Sequence, residues 1–150
     1  MLIRETTNSV SPLAMLPERA GHRPPVLTTS LGRAYFCFSA AGERASLLEV
    51  LAAPGHREHA TARDRAAIAR LVRATRAKGY AWREGGQAPG TTSIALPVRR
   101  DGRVLAALNI ICISSAVTLD EVVKRYLGPM RQAVARLEEA MIHASSYGRT

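Results

Sequence analysis

The sequence predicts an α+β domain: a small antiparallel sheet, a long C-terminal helix on one face, and short helices and loops around a ligand pocket on the other. Three observations predict it. "TTSIALPVRRDGRVLAALNIICI" (91–113) reads as two apolar strands joined at Asp101-Gly102, a strong hairpin signal. "VTLDEVVKRYLGPMRQAVARLEEAM" (117–141) opens with a capping signal and continues at helical spacing. Between residues 28 and 79 the apolar positions recur at helical rather than strand period.

In chain order, residues 1–7 alternate Leu2, Arg4 and Thr6 against Ile3, Glu5 and Thr7, as a strand would. Residues 8–25 are broken by prolines and a glycine and read as loop. From Thr28 a helix is expected, with Leu31, Ala34, Tyr35 and Phe38 on one side and Thr28, Thr29 or Ser30 as its cap. A second short helix covers 42–52 and closes at Pro54-Gly55. A longer one covers 59–79, burying Ile68, Leu71, Val72 and Thr75 and stopping at Lys78-Gly79. Its arginines Arg65, Arg73 and Arg76 lie near the opposite side, which a solvated face explains.

After Gly79 the period changes. Tyr80-Ala81-Trp82 is a short strand, 84–90 a loop, and 91–99 with 103–113 the hairpin. A two-residue loop would set Arg100 opposite Arg103; a three-residue loop would set Arg99 there instead. The second is preferred. It collects Ile94, Leu96, Val98, Val104, Ala106, Leu108 and Ile110 on a bulky face, and Ser93, Ala95, Ala107, Asn109 and Ile111 on a smaller, more polar one. In the last helix Thr118 and Glu121 form a capping box, with Val117 and Val122 as its staple. Leu127, Met130, Val134, Leu137 and Met141 then make a seam, and Pro129 is expected to kink the helix.

Composition narrows the function. The chain has 150 residues, enough for one domain with a sizeable core. Aromatics are 5%, so that core rests on aliphatic side chains and alanine. Cys37 and Cys112 sit in apolar contexts without a CxxC partner, which predicts a reduced, cytoplasmic setting. No apolar run reaches membrane-span length. The net charge of +9 is spread as scattered arginines without interleaved aromatics, so it predicts a field that draws small anions rather than a nucleic-acid surface.

Catalytic patterns are absent. His22, His56, His59 and His143 have no ligand-spaced Cys or carboxylate, and His56-Arg57-Glu58-His59 is not a zincin motif. No nucleophile elbow, P-loop or dinucleotide fingerprint occurs. No enzyme, metal or cofactor is expected. A pocket is better supported. Tyr80 and Trp82 share one side of a strand end, Arg83 follows at the rim, and Ser93 and Asn109 are polar breaks in apolar strands.

"LTTSLGRAYFCF" (27–38), "KGYAWREGGQAPGTTSIALPV" (78–98) and "DGRVLAALNI" (101–110) resemble, in order, the effector-binding domain of IclR-type bacterial transcription regulators. "MLIRETTNSVSPL" and "LGRAYFCFS" further resemble the branch that activates hydroxyphenylpropionate catabolism. The resemblance implies a GAF-like fold over residues 1–150 and an organic, aromatic acid effector. The ligand-binding residues it implies are Thr29, Ser30, Leu31, Tyr35, Trp82, Arg83, Ser93, Asn109 and Ile111. Ser30 and Leu31 would offer amides to the carboxylate, Ser93 and Asn109 hydrogen bonds, Tyr35, Trp82 and Ile111 apolar contact, and Arg83 a guanidinium. The resemblance also implies a homodimer or tetramer. DNA would be reached only through a winged helix-turn-helix domain, which the resemblance leads us to expect is missing from these 150 residues along with the leading strands of the sensor domain. The rival expectation is a GAF-like oligomerisation module with a vestigial pocket.

Overall fold

A computed structural model describes residues 1–7, 20–85 and 89–147, with side chains to residue 142. Most of the expected loop 8–25, the centre of the loop 84–90 and the side chain of His143 lie outside the described residues. The elements are α1 (Ser30–Phe38), α2 (Ala41–Leu51), α3 (His59–Arg63), α4 (Arg65–Lys78), β1 (Ala81–Glu84), β2 (Thr91–Arg100), β3 (Arg103–Ile113) and α5 (Leu119–Tyr147). The strands form one antiparallel sheet in the order β1-β2-β3. Every residue of β2 from 91 to 98 is buried, because α1 covers one face of the sheet and α5 the other.

The C-terminal helix is built as its sequence signals dictate. Glu121 accepts from the Thr118 amide at 2.8 Å, and the Glu121 amide donates back to the Thr118 hydroxyl at 3.3 Å, closing the capping box. Val122, Met130 and Val134 pack on Ile94, Leu96, Val98 and Tyr80. Pro129 is accommodated inside a helix that continues past it, and Leu137 is left 45% exposed rather than completing the seam. A second cluster joins Phe36 and Cys37 of α1 to Leu48 and Leu51 of α2 and Ile68 of α4.

Four expectations are corrected. Residues 1–7 form no strand of the sheet; Ile3 instead exchanges two backbone hydrogen bonds with Gly21 and His22. The helix expected over 59–79 is two helices, because Asp64 leaves helical conformation (ψ 83°) and caps the second by accepting from Ala67 N–H at 2.9 Å. The hairpin turn has two residues, Asp101 (φ 52°) and Gly102 (φ 75°), with Arg100 opposite Arg103. Both φ values are positive, as a type I′ turn requires, and aspartate tolerates that region better than most side chains. A register shift between Val98 and Arg99 then restores the expected faces further along the strands. Val104 is the exception. It pairs with Arg99, whose guanidinium lies 5.1 Å from the Phe38 ring of α1, so it leaves the bulky face for the other one.

Candidate functional site

Four alanines set where a ligand can and cannot fit. Ala34 of α1 packs on Ala81, Ala95 and Ala107, and the first three of these are fully buried. Side chains that small bring the helix axis close to the sheet and leave no room beneath its centre. Space for chemistry is therefore at the helix ends, and the polar groups gather at the N-terminal one.

The loop leading into α1 is held from three directions. Glu58, 3% exposed, accepts from the amides of Val26 (2.8 Å) and Leu27 (2.7 Å). Arg33 Nε donates to the Leu27 carbonyl at 2.8 Å. Thr29 Oγ1 accepts from Gly32 N–H at 3.0 Å and donates to the Pro25 carbonyl at 2.7 Å, which makes Thr29 the helix cap. Gly32 is obligatory here, since a Cβ would stand 2.3 Å from the Val26 carbonyl oxygen. With the Gly32 amide taken by the cap, the first-turn amides of Ser30 and Leu31 have no acceptor among the described residues.

The sheet supplies the rest. The register puts Arg83 beside Ser93, and Ser93 beside Ile111, on the face that α1 covers. Arg83 is only 7% exposed rather than a rim residue, and it donates to the Gly85 carbonyl and to Thr91 Oγ1 (2.7 Å). Ser93 is 1% exposed and its hydroxyl has no partner among the described residues. Asn109 lies opposite Ala95, half-buried, on the same face. Arg33 reaches this region through Nη1, which donates to the Trp82 carbonyl at 2.9 Å. Burial lowers the Arg33 pKa, and the neighbouring positive charge of Arg83 lowers it further. Two bonded guanidiniums, two first-turn amides and the Ser93 hydroxyl make this end of the α1 face rich in hydrogen-bond donors.

Two of the expected residues are elsewhere. Trp82 pairs with Ile94 and packs in the α5 cluster, its ring 6.3 Å from that of Tyr80 and under Lys78 Nζ at 4.6 Å. Strand alternation forces this, because Arg83 and Trp82 cannot share a face. Tyr35 lies further along α1 and donates to Glu43 of α2 at 2.5 Å, a bond that raises the tyrosine pKa. Glu58 and Arg33 were missed. Glu58 stands in a His-rich stretch read only for metal, and Arg33 was legible as the basic member of "LGRA". Burial pushes both cysteine thiols up, as expected of inert core residues. Among the described residues no His, Cys, Asp and Glu cluster could hold a metal, and no helix is long and apolar enough to cross a membrane. An open cleft of about 210 Å³ between α5 and the end of β2, lined by Gly79, Pro97, Arg131 and Glu138 among others, contains none of the site residues.

The fold is thus an α+β layer whose helix-covered sheet face carries polar donors at one end. Residues 5–139 match the bacterial transcriptional regulator IclR C-terminal family, and the chain belongs to it. The family is one of transcription regulators, not enzymes, and its GAF-like α+β fold is the fold described above. A transcriptional regulator from Rhodococcus sp. RHA1 is 24% identical with a TM-score of 0.71, over 89% of this chain and 55% of that one. The C-terminal domain of Escherichia coli KdgR is 21% identical with a TM-score of 0.66, over 81% of this chain and 74% of that one. The inducer-binding domain of Acinetobacter PobR, a double mutant in complex with 3-hydroxybenzoic acid, is 22% identical with a TM-score of 0.65, over 85% and 71%. Identities this low speak to fold. The chain spans about half the length of the Rhodococcus regulator.

Proposed function

We propose that this domain senses a small organic acid, aromatic by preference, and reports it to a DNA-binding domain of the same regulator. Ser93 carries the reading. A buried hydroxyl without a partner costs roughly 1–3 kcal/mol, and a strand two residues from Ala95 could as well have held alanine there. The cost is sensible where a ligand supplies the acceptor. The amides of Ser30 and Leu31, Asn109, Arg83 and Arg33 would orient the carboxylate, and Ile111 would lie against the ring. That PobR was crystallised with a hydroxybenzoic acid supports the aromatic class, and the hydroxyphenylpropionate branch is the narrower form of it. Binding shifts the population between arrangements of α5 and the subunit contacts, in a cytoplasmic dimer or tetramer.

Thermal denaturation with benzoate, 3-hydroxybenzoate, 3-hydroxyphenylpropionate and acetate tests this. An acid at 100 times its dissociation constant adds ~2.7 kcal/mol, and Ser93→Ala and Asn109→Ala should each weaken the response. A chain indifferent to every acid would remove the reading. Leu137 (45% exposed) and Ile142 (57%) on α5 favour a second role in self-association, which sedimentation without any acid would show.

A further inference from the structure

Arg33 of α1 ties the loop before its own helix to the main chain of the outer strand β1. Its Nε holds the Leu27 carbonyl at 2.8 Å and its Nη1 holds the Trp82 carbonyl at 2.9 Å. Both acceptors are neutral. The ion pair found among the described residues, Arg100 with Asp101, does not involve it. A half-buried cation beside a second arginine and without a carboxylate is an electrostatically costly arrangement that an incoming anion would relieve.

The guanidinium presents its donors in a rigid plane, and a carboxylate grips it two-pronged along one of two edges, Nε with Nη2 or Nη1 with Nη2. The first edge uses the nitrogen given to Leu27, the second the nitrogen given to Trp82. An acid gripping Arg33 on either edge therefore shares a nitrogen with a main-chain bond. The Leu27 side is the tighter of the two, because Glu58 also holds the Leu27 amide at 2.7 Å. The Nη edge is the open choice: Nη1 carries two N–H groups, so it can give one to the acid while the other stays on the Trp82 carbonyl, linking the acid to that peptide.

What lies beyond that bond gives it a consequence. Trp82 turns its indole to the opposite face, against Tyr80 and Lys78, in the same cluster as Val122 and Met130 of α5. We propose that Arg33 is a positioning residue that couples acid binding on the α1 face to the α5 face through the Trp82 main chain. This rests on the acid-sensing reading above and adds its route: the signal crosses the sheet through one peptide of β1, not around it.

Trp82 is the single tryptophan of the chain, so its emission reports the far face directly. Benzoate is titrated into the full chain while thermal shift and tryptophan emission are followed together. The coupling predicts an emission change with the same midpoint as the thermal stabilisation. Arg33→Lys keeps a cation but loses the fork. It should weaken benzoate binding about tenfold or more, and at saturation it should still stabilise the protein while the emission change disappears. Stabilisation without an emission change in the unaltered protein overturns the coupling and leaves the acid reading standing. An emission change that persists in Arg33→Lys also overturns it, by showing a route that does not need the fork. No stabilisation at all by benzoate or the other acids removes both. Should Arg33→Lys not fold, Ser93→Ala decides. The full emission change at saturating benzoate, reached at weaker affinity, supports a route through Arg33, and its loss places the route in Ser93.

Discussion

Ser93 and Ile94 are neighbours in β2, and both are almost wholly buried, at 1% and 0% exposure. Ile94 faces α5 and joins Leu96, Val98, Val122 and Met130 in an aliphatic layer. Ser93 faces the side that α1 covers, where alanines close the middle and arginines, an unpaired hydroxyl and free amides occupy the end. One face gains stability from each side chain it buries; the other spends some to keep donors ready. A single strand separates the two because its side chains alternate. A substitution one residue along therefore changes which property is lost.

The largest effect should come from the stable face. Ile94→Ala removes a fully buried aliphatic side chain and should cost about 2–5 kcal/mol in denaturant melts. The increment that an acid adds to the melting temperature should survive in it. Loss of the acid increment would mean that the donors on the α1 face depend on the aliphatic layer for their placement. Gly32→Ala comes next and attacks the other face. Its Cβ would meet the Val26 carbonyl at 2.3 Å and the Pro25 carbonyl at 2.5 Å, backbone atoms that cannot simply swing away. Overpacking of this kind costs about 1–3 kcal/mol, and the displaced loop should take the acid response with it.

Much of this contrast was legible in the sequence. The capping box, the α5 seam and the two face memberships of the hairpin follow from local rules, since each depends on residues a few positions apart. The turn length was not legible, because Asp101-Gly102 suits either loop and a β-bulge conceals the difference from everything except Val104. The break at Asp64 was visible as a capping residue but outweighed by the longer apolar period around it. Site membership was legible only in part. Trp82 was expected to be an apolar ligand contact without the β1–β2 register that sets its face, and the Arg33 and Glu58 bonds join residues 49 and 32 positions apart, which no local pattern encodes.

Ser93→Ala is the sharper test because its expected sign is unusual. Deleting an unpaired buried hydroxyl should stabilise the acid-free protein by about 1 kcal/mol while weakening its acid response. A destabilised Ser93→Ala would mean that the hydroxyl already has a partner, and the contrast between the faces would shrink to one of size alone.

The smallest effects belong to the entrance of α5, and they bear on the stable face only. Thr118→Ala should cost about 1 kcal/mol, the usual value of an N-cap, and leave the acid increment untouched. Glu121 gives the same end of the helix a pH signature. The Thr118 amide, then its hydroxyl, hold the carboxylate below its usual value of 4.5. A proton on Glu121 is thus disfavoured by the folded chain relative to the unfolded one. The resulting stabilisation is complete above pH 4.5 and is lost as pH falls through the depressed pKa. Glu121→Gln retains an acceptor for the Thr118 amide but cannot titrate. Its acid-limb melting curve, taken without any ligand, should be flatter than that of the unaltered protein. An equally steep limb in both would show that the loss of stability in acid does not come from Glu121.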